Sequence, residues 1–145
     1  MKLIAITDDH KGMMFNHRRQ SKDQMLRKEI LNLCKSKTLY MNAYTYSQFE
    51  ENEKNNVKIH VAESFLSACD KHSKEKTEED AYYFVENENL AEWLDRISEI
   101  VLFQWNTRYP ADFYFTIDLS EFQLVSAKDF PGNSHHNITM EIYKR

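Results

Sequence analysis

The fold class this chain predicts is a mixed α/β sheet of about seven or eight strands with about three helices and a β-hairpin at its C-terminal end. Three observations predict it. Apolar runs of strand length recur at residues 3–7, 38–41, 81–85 and 100–105. Two of the intervals between them carry apolar residues at helical spacing. The segment after residue 112 holds further extended, apolar-rich runs without that spacing. Alternation of β and α followed by a β-rich tail implies a three-layer αβα arrangement with helices on both faces of the sheet. No repeat, low-complexity tract or linker divides the 145 residues, so residues 1–145 read as a single domain.

Each element has its own justification. Residues 3–7 (LIAIT) end at Asp8-Asp9, so a buried strand gives way to a polar turn through Gly12. Met13, Met14 and Phe15 lie between that turn and Asn16-His17-Arg18-Arg19, and read as a loop folded over the core. Ser21-Lys22-Asp23-Gln24 fits a capping box with Ser21 at the N-cap and Asp23 in the first turn, where its charge suits the helix dipole. Leu26, Ile30, Leu33 and Cys34 then form one helical stripe, which frays near residues 35–37. Residues 38–41 are a strand, 44–49 a loop or short helix, and 50–56 (EENEKNN) a solvated connection. A short strand at 57–61 precedes a short helix at 62–71 with Phe65, Leu66 and Cys69 inward, then a polar surface loop to residue 80. Residues 81–85 are a strong strand. A second capping-box pattern, Asn89 to Glu92, opens a helix with Leu90, Trp93, Leu94 and Ile97 on one face. Residues 100–105 are a central strand, 113–117 are extended, and 122–125 pairs with 138–143 across a connection at 129–136.

Composition excludes several classes. A net charge of −4 gives no general attraction to nucleic acid or anionic membrane. No apolar run approaches the ~18 residues of a membrane-spanning helix, and residues 1–6 are too quickly charged for a signal peptide, so a soluble, cytoplasmic protein is expected. Cys34 and Cys69 fall on apolar helix faces, as core thiols do. With only Gly12 and Gly132, no glycine-rich phosphate loop exists. His135-His136 point to opposite faces of an extended chain and chelate poorly, so no metal site is expected. Nor is there a recognisable local signature around a nucleophilic serine or cysteine.

The order Leu3-Ile4-Ala5, Gly12, Asn16, Asp23 at a helix start, Leu39-Tyr40-Met41 and Thr45-Tyr46 resembles the N-terminal half of dihydrofolate reductase. Asp112-Phe113-Tyr114-Phe115, Phe122-Gln123-Leu124-Val125 and Asn133-Ser134-His135 with Glu141-Ile142-Tyr143 look like that family's closing segments. The resemblance spans nearly the whole chain and is weakest in the middle, where one strand stands for the family's two. It implies a pterin-pocket acid at Asp23.

The departures bear on function. The resemblance implies a Gly-Gly pair under the cofactor pyrophosphate, and Glu86-Asn87 stands there instead; side chains crowd that approach and a carboxylate repels phosphate. Ala43 replaces the arginine that pairs the cofactor 2′-phosphate, and Asn42 the glycine before it. Arg27 replaces an apolar stacking residue, and Gln104 the threonine that supports the acid. These changes imply no NADPH and no reductase activity. The expected function is a binding module, not an enzyme, that takes a small molecule or protein in a remnant cleft of Arg18, Arg19, Asp23, Arg27, Asn42, Thr45 and Gln104.

Asp23 reads two ways, as a proton donor or heterocycle anchor, or as a helix-start residue able to pair with Arg27 one turn on. No catalytic residue is assigned unless it is Asp23. The dense basic cluster His17-Arg18-Arg19 offers an alternative function, a small metal-independent ribonuclease or an RNA- or nucleotide-binding protein, and an equally good reading as a solvated loop. A residual pterin reductase is a further alternative. Tyr40, Tyr44, Tyr46 and Tyr109 are candidates to line the cleft, beside the reading that each packs in the core.

Overall fold

The computed structural model describes residues 1–55, 57–75 and 81–145, residues 74 and 75 by their backbone alone. Among them, strands β1 (Lys2–Thr7), β4 (Thr38–Met41), β5 (Ile59–Val61), β6 (Ala81–Phe84), β7 (Glu99–Gln104), β9 (Gln123–Phe130) and β10 (Ile138–Lys144) form one mixed sheet in the order β5-β4-β6-β1-β7-β10-β9. β1 pairs in parallel with β6 on one side and β7 on the other. β10 enters antiparallel between β7 and β9. A separate three-stranded sheet joins β2 (Gly12–Phe15), β3 (Arg18–Arg19) and β8 (Phe113–Tyr114). The helices are α1 (Gln24–Leu33), α2 (Ala43–Tyr46), α3 (Glu51–Lys54), α4 (Phe65–Glu75) and a 3-10 turn over Ala91–Arg96.

The pleat divides the core into two faces. Along β1, Leu3 and Ala5 join α4 through Phe65, Ala68 and Cys69, together with Leu90 and Ile97. Ile4 and Ile6 join α1 through Leu26, Ile30 and Cys34, with Leu39, Met41, Val101 and Phe103. Strands covered on both sides need apolar residues at every position, which is why β1, β6 and β7 read as unbroken apolar runs. Both cysteines are buried and unbridged, and burial pushes the Cys34 thiol up to about 12. No helix among the described residues is long and apolar enough to cross a membrane.

Several elements differ from the sequence reading. Met13 to Phe15 belong to β2, because Asp8 closes the preceding turn and aligns the chain against β8. Residue 53 is not solvated: Glu53 lies buried in α3. The stretch opened by Asn89 is a 3-10 turn with a non-helical Trp93, and Asn89 Oδ1 accepts from Ala91 N and Thr116 Oγ1. The helix at 62–71 is α4, which starts at Phe65; Leu66 is only half-buried there. The polar loop read up to residue 80 lies partly in α4, and its residues 76–80 fall outside the described residues.

Candidate functional site

The parallel strands β4, β6, β1 and β7 all end at one rim, where the chain continues into Asn42, Val85-Glu86, Asp8 and Trp105. Ligands of open α/β sheets bind outside this carboxyl edge. Here Arg19 at the end of β3, with Gln20 and Ser21 after it, meets the rim and encloses a small cavity with Glu86. Its other walls are the apolar Ile6, Met13, Val85 and Trp105, and the free space of about 10 Å³ admits roughly one water.

Like Asp8, Glu86 is a buried carboxylate of this rim. Arg19 grips it with a planar fork, Nε to Oε2 at 3.1 Å and Nη2 to Oε1 at 3.2 Å. The same Nη2 donates to the Tyr44 carbonyl at 3.0 Å, and the guanidinium carbon lies 4.4 Å from the centre of the Tyr44 ring. The Arg19 backbone N–H donates to Tyr44 Oη at 2.7 Å. Burial pushes the Glu86 carboxyl upward, opposed by Arg19 and, more weakly, by Thr45 and Gln48. Thr45 Oγ1 and Gln48 Nε2 approach Glu86 without completing a hydrogen bond of good geometry, and Gln20 Oε1 is likewise buried without a partner among the described residues. Buried polar atoms left this way are uncommon.

Asp23 faces elsewhere. It is itself the N-cap of α1, accepting from Met25 N at 2.9 Å and Leu26 N at 3.2 Å, so Ser21 is not the cap. The N–H groups of Asn133 and Ser134, both at 2.9 Å, reach it from the β9–β10 connection. His135 Nδ1 lies 2.9 Å from its Oδ2, which assigns the ring proton to Nδ1 because the carboxylate can only accept. Burial alone would raise this carboxyl, but these donors outweigh it and hold the pKa far below the usual carboxylate range. The His135 ring stacks on Trp105 at 4.3 Å, and its Nε2 meets Ser21 Oγ at 3.0 Å and Tyr109 Oη at 2.8 Å.

An Asp-His-Ser chain at such distances is the geometry of nucleophilic hydrolases. Two further features let the same array act as a latch. The carboxylate is already spent on four backbone N–H donors, and two hydroxyls share the single lone pair of Nε2. The array ties α1, the segment before it and the β9–β10 connection together.

The residues expected to form one cleft do not meet in one place. Arg19 and Thr45 meet at Glu86. Asn42 caps α2 through Thr45 N at 2.9 Å and donates to Asn87 and Glu88. Arg18 is exposed. Arg27 does not pair with Asp23; its Nε lies 2.9 Å from Glu53 Oε1 in a buried pair, and neither residue lines the rim cavity. Gln104 accepts from Thr7 Oγ1 and donates to Glu141, with no bond to Asp23. Of the four tyrosines, Tyr40 is fully buried, Tyr44 stands at Glu86, Tyr46 packs at the α1-side core and Tyr109 lines a surface groove. Sequence reasoning missed Glu86 as an anchor and His135 as the ring of the latch; a carboxylate opposite Arg19 was the only available hint, and the partners are 67 residues apart.

Two open grooves flank the rim. One, of about 520 Å³, lies between Asp8, His10, Phe15, Arg108, Tyr109 and Tyr114, with Phe15 and Tyr114 both exposed. The other, of about 360 Å³, is lined by Met14, His17, Asn87, Asp112 and Phe113. The described residues hold no group of three or more metal-ligating side chains. No protein-family profile matches the chain, and no curated protein does.

Proposed function

We propose that this chain is a divergent dihydrofolate-reductase-like protein that binds a small polar molecule at the rim and does not reduce pterins with NADPH. The observation that carries the reading is the Arg19–Glu86 pair. The resemblance puts a bare glycine backbone at Glu86 to receive a pyrophosphate; a buried carboxylate there repels such a group. The family reading is supported by the Leu3-Ile4-Ala5 strand at the sheet centre, the acid at the start of α1, and a closing hairpin whose second strand lies inside the sheet. Thermal unfolding against pterins, nucleotides and RNA fragments tests the binding claim, because only a ligand of the folded state raises the midpoint. NADPH consumption with dihydrofolate, abolished by Asp23→Asn, would overturn the reading.

A second reading has its own observation. The groove of Phe15, Tyr114 and Tyr109 with Arg108, near exposed His17 and Arg18, suits stacking of bases from single-stranded nucleic acid. Oligonucleotide anisotropy that falls with salt and is lost in Phe15→Ala/Tyr114→Ala supports it; absence of binding at low salt dismisses it.

A further inference from the structure

We propose that Glu86 anchors a binding site for small guanidinium compounds, and that Arg19 is the built-in occupant of that site. The inference rests on the rim-binding function above and names its ligand class. The receptor groups all belong to the sheet and its helices: the carboxylate follows β6, and the carbonyl and aromatic ring belong to Tyr44 in α2. Together they present two parallel acceptor oxygens, a third acceptor at the side and a π face beneath. A guanidinium satisfies all of these at once, with a planar fork of N–H donors and a flat face. An ammonium, a point charge with tetrahedral donors, satisfies only part of them. An anion meets the Glu86 carboxylate and is refused.

The occupant comes from a different kind of element. Arg19 sits on β3, a strand of two residues that pairs with β2 alone. The hairpin before it places Asn16 and His17 at φ of 54° and 63°, a region L residues enter at a cost. The guanidinium is thus carried on a short hairpin while its receptor stands on the loop after β6 and on α2. Beside the guanidinium, the small cavity at Ile6, Val85 and Trp105 has room for no more than a methyl-sized group, so a longer aliphatic tail would follow the path of the Arg19 stem. The buried oxygens Thr45 Oγ1 and Gln20 Oε1 leave acceptor capacity around the anchor that Arg19 does not use.

The test is displacement and rescue. Arg19→Ala is compared with wild type by thermal unfolding and calorimetric titration, using methylguanidine and agmatine against methylammonium, putrescine and sodium chloride as controls. The expected result is a lowered midpoint in Arg19→Ala that guanidinium compounds raise and ammonium compounds do not. Agmatine should bind Arg19→Ala at least about tenfold more tightly than wild type, since no internal occupant competes. Arg19→Ala/Glu86→Gln should lose the preference for guanidinium while remaining folded. If Arg19→Ala does not fold, Arg19→Lys keeps the charge without the fork and is read in the same way. Equal response to guanidinium and ammonium overturns the proposal, as does rescue of the variant with no agmatine binding to wild type, which makes the pair purely structural. Nucleotides or pterins that raise the midpoint while guanidines do not would overturn this ligand class and leave rim binding standing; no response to any of them removes both.

Discussion

Asp8 and Asp23 are each ringed by N–H donors, and one of the chain's two glycines lies against each. Asp8 accepts from His10 N, Gly12 N, Tyr109 N and Gln20 Nε2 at 2.7–3.1 Å. A Cβ on Gly12 would stand 2.9 Å from Asp8 Oδ2 and 2.6 Å from Ala111 Cβ; one on Gly132 would stand 2.8 Å from Asp23 Oδ2 and 2.7 Å from the His135 carbonyl. Glycine is used here for closeness to a carboxylate, not to a phosphate. Asp23→Ala is expected to cost about 2–4 kcal/mol in urea unfolding, the loss of a helix cap plus donors left unpaired in the β9–β10 connection. Gly132→Ala should cost about 1–3 kcal/mol for the overlap with backbone. Burial opposes ionisation of both acids, yet the donors prevail and both carboxyls are held low. Their stabilisation is therefore complete above the unfolded carboxylate value of about 4 and is lost as pH falls toward the folded values. Urea midpoints at neutral and acid pH should show that fall, and Asp23→Asn should shrink it. The thiols make a separate check: Cys34 and Cys69 are buried and burial raises both pKa values, so native protein should resist alkylation until urea unfolds it.

At the level of elements, α1 and α3 are joined by the Arg27–Glu53 pair, both side chains nearly closed off from solvent. Glu53→Ala should destabilise by about 3 kcal/mol, the lower end for a broken buried pair because Glu50 stands 4.0 Å from Arg27 Nη2 and shares its charge. Arg27→Met/Glu53→Leu should lose far less, and a double-variant loss equal to the sum of the two single losses would show that the pair contributes nothing specific. At β3 and β6, Arg19→Ala leaves Glu86 buried without its cation. The Glu86 carboxyl is already raised by burial, and removing Arg19 raises it further. A raised acid binds a proton in the folded state that the unfolded chain has released, so the variant should lose stability relative to wild type as pH rises above about 4. Arg19→Ala/Glu86→Gln should show no such slope.

These cases also mark what the residues disclosed. The strands were legible because burial on both faces leaves no room for polar alternation. Both Ser21 and Asp23 are good N-cap residues, and the choice between them was made by Asn133, Ser134 and His135, more than a hundred positions away. Glu53 looked solvated because nothing local shows that α1 turns Arg27 toward it. Glu86 was visible as a departure from the expected glycine, but its role as an anchor depended on a hairpin folding back over 67 residues.

For the molecule as a whole, the order of strands along the chain is at odds with their order in space. β1 is formed first and lies in the interior, but its neighbour β7 arrives almost a hundred residues later, as in the pairing of Leu3 with Ile100. β10 follows β9 in sequence and yet separates it from β7. During synthesis the sheet therefore waits with β7 presenting an unpaired edge, and β9 has no place to dock until β10 has emerged. Pairings this distant close slowly, and the open edge is exposed to other nascent chains throughout the delay. Refolding from urea should be slow for a protein of this size, with losses that grow with concentration, and deletion of β10 should abolish folding instead of trimming an edge. The position of one late strand thus governs how long the protein is vulnerable before it is a protein at all.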